Sequence, residues 1–248
     1  MTNIINTKRI GEITTFLKSL NIQSKRFSEI IKTQNIEVIQ DFNQAFIHSS
    51  EDKIINYEKL EFFGDAVLRL AASNFIEKKY PQMSVGERSE LRAQIVSDEW
   101  LTKLGEKIDI EKLIINGPKA LGDENSKNTI IGESTEALIG ALYKCFNSIQ
   151  EVNLWLDDIW EEDSEIFLKA PYKFKSKTVL QECQSKGFDL PVYKIMELSK
   201  KNGDLKRFSC DIFIEGLKES SAFGKSHKQA EMNAARVLIE KFITIGKI

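Results

Sequence analysis

At 248 residues the chain is long for one domain and comfortable for two. A 42% hydrophobic and 29% charged composition, with no run of about 18 apolar residues, predicts a soluble globular protein without a membrane span. Met1–Ile10 lacks the basic start and apolar core of a signal peptide. Three scattered cysteines, Cys145, Cys183 and Cys210, have no metal-ligand spacing, so a reducing, cytoplasmic setting is expected. The net charge of −2 hides an asymmetry. Residues 1–171 carry 20 Lys+Arg against 28 Asp+Glu, a balance of −8, and residues 172–248 carry 15 against 9, a balance of +6. A basic C-terminal part suggests a polyanionic partner, and an acidic N-terminal part leaves room for metal chemistry.

Residues 1 to about 165 read almost entirely as helix. Apolar residues recur at helical spacing over 10–20, 27–31, 57–80, 85–96, 98–104, 126–146 and 149–160. Ser84 and Glu87 have capping-box spacing, and Ser97 stands where a cap is needed before Asp98 and Glu99. Pro81 and Gly117-Pro118 break the pattern. No Gly-x-Gly-x-x-Gly or Walker-type loop occurs, so no nucleotide cofactor is expected. Around 169–176 the lysine-punctuated sequence after Ala170-Pro171 reads as a linker. A helix (176–186) follows, then three strands (192–198, 208–214, 218–223) with turns at Asn202-Gly203 and Gly216. A last helix (227–242) carries Ala230, Ala234, Val237 and Leu238 on one face. Short connections predict an antiparallel sheet with both helices on one side. The expected architecture is thus an all-α domain over 1–168, a linker over 169–176 and an α-β-β-β-α domain over 177–248.

Two acidic stripes stand out. On the helix beginning near Tyr57, the carboxylates of Glu58, Glu61 and Asp65 fall within an arc of roughly 60°. Glu133 and Glu136 face together on another helix, ahead of the apolar run Ala137–Tyr143. Carboxylates beside small and apolar residues (Gly64, Ala66, Ala137, Gly140) are expected to be partly buried, where they need a cation or a proton. Spacing alone leaves two readings open: a solvated face with Asp65 paired to Arg69, or oxygen ligands for a hard divalent cation.

A basic cluster opens the last helix, in Gly224-Lys225-Ser226-His227-Lys228-Gln229-Ala230-Glu231. Ser226 is its expected cap. Lys225 and Lys228 surround a helix N-terminus, whose unpaired N–H groups already favour an anion. His227 reads as a solvated or phosphate-facing side chain, and His48, in Phe46-Ile47-His48-Ser49-Ser50, as a packing histidine.

Glu58-Lys59-Leu60-Glu61-Phe62-Phe63-Gly64-Asp65-Ala66-Val67-Leu68 resembles the signature of the ribonuclease III family. Supporting segments stand in the family's order: Ala45–Ser50, Leu91-Arg92-Ala93 and Glu136–Tyr143. Thr178–Glu182, Leu190–Tyr193, Gly224–Glu231 and Ala234-Ala235 resemble a double-stranded-RNA-binding domain. Together they span about residues 42–243. The resemblance implies a homodimeric endonuclease that hydrolyses double-stranded RNA with Mg²⁺, Mn²⁺ being a substitute. Each subunit would cut one strand, leaving staggered 5′-phosphate and 3′-hydroxyl ends, in ribosomal precursor and messenger processing. The metal ligands would be Glu61, Asp65, Glu133 and Glu136, with Asp65 and Glu136 the catalytic pair. Glu58 would be an outer member of the acidic cluster and Phe62 an anchor in the partner subunit. Gln181 and Glu182 would meet the minor groove, and Lys225, His227 and Lys228 the phosphates. The chain departs from the family pattern at His227, which replaces a common basic residue, in its first 40 residues, which are longer than typical, and at three further places. Glu133 stands where many members have aspartate, Val85 where many have an acid, and the hairpin 200–205 lacks the usual histidine.

Overall fold

The computed structural model describes residues 5–118, 124–169, 189–201 and 204–245. The chain forms two compact units, Met1–Glu165 and Ile166–Ile248. The first is helical: α1 (Thr7–Ser19), α2 (Lys25–Thr33), α3 (Ile36–Gln44), α4 (Glu58–Lys79), α5 (Val85–Ile95), α6 (Asp98–Lys107), a 3₁₀ turn (Ile110–Leu113), α7 (Glu124–Phe146) and α8 (Ile149–Lys169). The division between the units falls inside α8. Among the described residues, no helix is long and apolar enough to cross a membrane.

The expected caps are formed. Ser84 Oγ accepts from the Glu87 N–H at 3.3 Å while Glu87 Oε2 accepts from the Ser84 N–H at 2.8 Å, closing a capping box on α5. Ser97 Oγ accepts from the Trp100 N–H at the start of α6. The start of α4 is anchored more heavily. Buried Asn56 takes the Glu58 N–H on its Oδ1 at 3.0 Å and donates its amide to the Asp52 carbonyl. Gln44 donates to the Asn56 carbonyl, and the Tyr57 N–H reaches the Ile47 carbonyl at 2.9 Å. Four hydrogen bonds therefore fix Asn56 and Tyr57, the two residues that lead into α4, and one of them holds the Glu58 N–H of its first turn.

Two elements differ from expectation. Helix α3 has no counterpart in the apolar pattern, because it buries only Ile39 and Phe42, one turn apart, too short a stripe to show a period. Helix α8 runs nine residues beyond Trp160 through an acidic stretch that carries little apolar signal. Polar contacts hold it there: Asp163 accepts the Trp100 indole N–H at 2.7 Å, Ser164 Oγ bonds the Tyr80 hydroxyl, and Lys79 pairs with Glu161.

α4 and α7 are the central pair. They cross where Gly64 meets Gly140. A Cβ on Gly64 would stand 2.0 Å from the Glu136 carbonyl oxygen, and one on Gly140 would stand 2.3 Å from that of Leu60. Only hydrogen fits at either position, so the two backbones touch.

The second unit contains a three-stranded antiparallel sheet, β1 (Val192–Glu197), β2 (Phe208–Ile214) and β3 (Leu217–Gly224), in the order β1-β2-β3. Helix α9 (His227–Thr244) covers one face. Its Ala230, Ala234 and Leu238 pack on Phe208, Cys210 and Ile212, which alternate along β2 toward the core. The expected helix over 176–186 and the turn at Asn202-Gly203 lie outside the described residues.

Candidate active site

The Gly64–Gly140 crossing brings the two acidic stripes together. Glu61 and Asp65 lie on α4 and Glu133 and Glu136 on α7, all four half-buried, while Glu58 is exposed at the first turn of α4. Crowding marks two of them. Burial, then the charges of Glu133 and Glu58, push the Glu61 carboxyl up to about 7. Burial also pushes Glu136 up to about 7, reinforced by Asp65, Glu61 and Asp98 and partly relieved by Arg69.

The other two carboxylates have partners inside the protein. Asp65 Oδ1 accepts from Arg69 Nε at 2.7 Å, the i,i+4 pairing that spacing allowed. Glu133 Oε2 accepts from the Tyr57 hydroxyl. Among the described residues, no group of three or more acidic, histidine or cysteine side chains is gathered closely enough to hold a metal ion. The donor set is nonetheless entirely carboxylate oxygen, the chemistry a hard divalent cation takes, and its mutual repulsion is what such a cation would relieve.

Sequence reasoning missed Tyr57. In the sequence it only opens a helix beside the acidic stripe, with no spacing signal that its hydroxyl spans 76 residues to Glu133. Its ring is buried and meets His48 edge-on at 5.5 Å. His48 packs as expected: its Nδ1 lies 2.7 Å from Ser50 Oγ and accepts the Ser50 N–H at 3.0 Å. Asp98 stands in the sequence as a helix start, yet it adds to the field on Glu136.

The raised carboxyls carry a signed prediction. A group whose folded pKa is raised contributes stability that is fully present below its ordinary value near 4.5 and lost as pH rises through about 7. The metal-free chain should therefore lose melting temperature from pH 6 to 8, and a Glu61→Gln/Glu136→Gln variant should flatten that slope. Thermal scans at fixed ionic strength check it; equal slopes in the two proteins would refute it.

Two family models match the chain: a ribonuclease-III-like domain over residues 40–153 and a double-stranded RNA binding motif over residues 176–242. The chain is 44% identical over 240 residues to Ribonuclease 3 of Prochlorococcus marinus, covering 96% of each. It is 36% identical over 200 residues to Ribonuclease 3 of Natranaerobius thermophilus (79% of this chain, 85% of that one), and 33% identical over 200 residues to Ribonuclease 3 2 of a Synechocystis strain (80% and 82%). The chain belongs to the ribonuclease III family. It is an endoribonuclease acting on double-stranded RNA, of a family that is generally metal-dependent.

The second unit of this ribonuclease III presents its basic cluster at the β3–α9 junction. A Cβ on Gly224 would lie 2.4 Å from the Ala230 nitrogen, so glycine lets the end of β3 press directly on the first turn of α9. Ser226 caps that turn, accepting from the Gln229 N–H at 3.2 Å. Lys225, His227 and Lys228 are exposed around it, with the His227 ring edge-on to Phe208 at 4.3 Å. In the hairpin that lacks histidine, Arg207 bonds Glu197 through Nε and Nη2 and lies over Phe208, while Lys206 lies over Phe223. Gln181 and Glu182 lie outside the described residues.

Proposed function

We propose that the chain cuts double-stranded RNA with Mg²⁺ held by Glu61, Asp65, Glu133 and Glu136, leaving staggered ends with 5′-phosphates and 3′-hydroxyls. The observation that carries this reading is the α4–α7 crossing, which places Glu61 and Asp65 on one helix beside Glu133 and Glu136 on the other, where burial first and neighbouring carboxylates second push Glu61 and Glu136 up to about 7. When bound, Mg²⁺ polarises the scissile phosphate, lowers the pKa of an attacking water and neutralises the leaving oxygen. The protein's part is to supply ionised oxygens at fixed positions. Arg69 pairs with Asp65 in the metal-free chain, where burial, then the charges of Asp65, Glu61 and Asp98, push the Glu136 carboxyl up to about 7, so a bound cation would favour the ionised form of both. Glu58, exposed beside this group, serves RNA or outer-sphere contacts.

Residues 1–168 form the cutting domain and 177–248 the RNA-holding domain, joined by a linker over 169–176. Lys225, His227 and Lys228 grip phosphates, and Gln181 and Glu182 enter the minor groove, so A-form shape is read in preference to sequence. Self-association is supported by α4, where Phe62 (84% exposed), Ala66 and Leu70 (51% exposed) form an apolar stripe at i, i+4 and i+8 on the exposed side. Phe62 anchors the partner subunit in a homodimer, whose two sites each cut one strand. The setting is cytoplasmic, and the substrates are ribosomal RNA precursors and messenger RNAs.

Incubation of the full chain with a long, perfectly paired RNA tests the reading. Staggered 5′-phosphorylated products in Mg²⁺ that vanish with EDTA are expected. Tight binding without cleavage in both Mg²⁺ and Mn²⁺ would overturn it in favour of a non-catalytic RNA-binding protein on the same fold.

A further inference from the structure

We propose that Tyr57 is a positioning residue for Glu133, setting where that carboxylate presents its oxygens to a divalent cation. The inference rests on the proposed metal site and concerns a contact this chain needs because of its own sequence. Glu133 carries one methylene more than an aspartate would, which adds a rotatable torsion and lengthens the side chain by about 1.5 Å. A longer carboxylate on the same helix position has more places to go, and each must be given up before a cation can be bound.

Tyr57 removes that freedom. Its hydroxyl donates to Glu133 Oε2, which leaves Oε1 for another partner. The phenol is itself a rigid strut with two side-chain torsions, held at both ends. Its backbone N–H is on the Ile47 carbonyl at 2.9 Å. Its buried ring lies against His48, and His48 is fixed by Ser50, whose Oγ in turn accepts the Gly117 N–H at 3.0 Å. The brace therefore runs from the loop at Gly117 through Ser50, His48 and Tyr57 to the carboxylate on α7. An aspartate at 133 would fall short of the hydroxyl by the missing methylene, so the strut and the longer acid belong together.

The test uses the full chain, Mn²⁺ as the probe and isothermal titration without RNA, backed by the Mn²⁺ concentration giving half-maximal cleavage. Tyr57→Phe deletes one oxygen and keeps the ring against His48; an unchanged melting temperature, within about 3 °C, reports the fold. It should raise the Mn²⁺ Kd by about three- to tenfold, the worth of one hydrogen bond, and raise the half-maximal concentration by the same factor. In a Glu133→Asp background the same substitution should move Kd by less than about twofold, a coupling that a merely structural role would not produce. A wild-type chain that binds Mn²⁺ with Tyr57→Phe unchanged, or with equal losses in both backgrounds, overturns the role of Tyr57 alone. A wild-type chain that binds no Mn²⁺ overturns the metal reading and this one with it.

Discussion

Glu136→Gln should lower cleavage of a long RNA duplex by at least about a thousandfold while leaving duplex binding within about twofold of wild type. Gln keeps the shape and removes the charge. Glu136 sits where burial and the charges of Asp65 and Glu61 converge, so the lost carboxylate is the one most surrounded by its fellows. The basic cluster at the β3–α9 junction belongs to the other compact unit and is untouched. Single-turnover cleavage in Mg²⁺ and gel-shift binding in Ca²⁺ separate the two effects. Retained cleavage would remove Glu136 from the reaction, and lost binding would mean that the acidic site itself grips the RNA. The same substitution should raise the melting temperature of the metal-free protein at pH 8, because one member of a repelling group is gone.

Gly64→Ala is expected to be the most damaging single-methyl change in the helical unit. The new Cβ would lie 2.0 Å from the Glu136 carbonyl oxygen and 2.8 Å from its carbon, and neither backbone atom can rotate away. The helices must part, at a net cost of about 2–3 kcal/mol after the better helix propensity of alanine is counted. The melting temperature should fall by about 5–10 °C for a protein of this size. Parting α4 from α7 also separates Glu61 and Asp65 from Glu133 and Glu136, so cleavage should fall more than tenfold even below the melting transition. Gly11→Ala is the control, since its Cβ would meet nothing within 4 Å on an exposed face of α1, and it should be neutral or mildly stabilising. Equal melting temperatures for the two variants would show that the crossing tolerates a methyl group.

Features that depend on neighbours along the chain were legible in the sequence. Ser84 with Glu87, Ser97 and Ser226 cap where their spacing indicates, because capping is local chemistry. The alternation Phe208, Cys210, Ile212 appears as a buried face because a strand has period two. The pairing of Asp65 with Arg69 was one of two open readings, and it coexists with the acidic cluster. Features that depend on distant segments were not legible. The Tyr57–Glu133 contact joins residues 76 apart, and the acidic end of α8 is held by side chains of Trp100, Tyr80 and Lys79 rather than by an apolar stripe. Gly64 and Gly140 were visible as small residues beside acids, but that they are one contact needed the fold.

Backbone touching backbone at that contact has a consequence for how such a site can change. Neither helix can move closer at the crossing without a clash, so the backbones that carry the four carboxylates already stand at their closest approach. What remains adjustable is reach, the number of methylenes between each α-carbon and its carboxylate, together with whatever side chain braces the result. Glutamate at 133 with tyrosine at 57 is one such solution. An engineer wishing to retune the metal preference of this enzyme should therefore exchange side-chain lengths in braced pairs and leave the glycines alone.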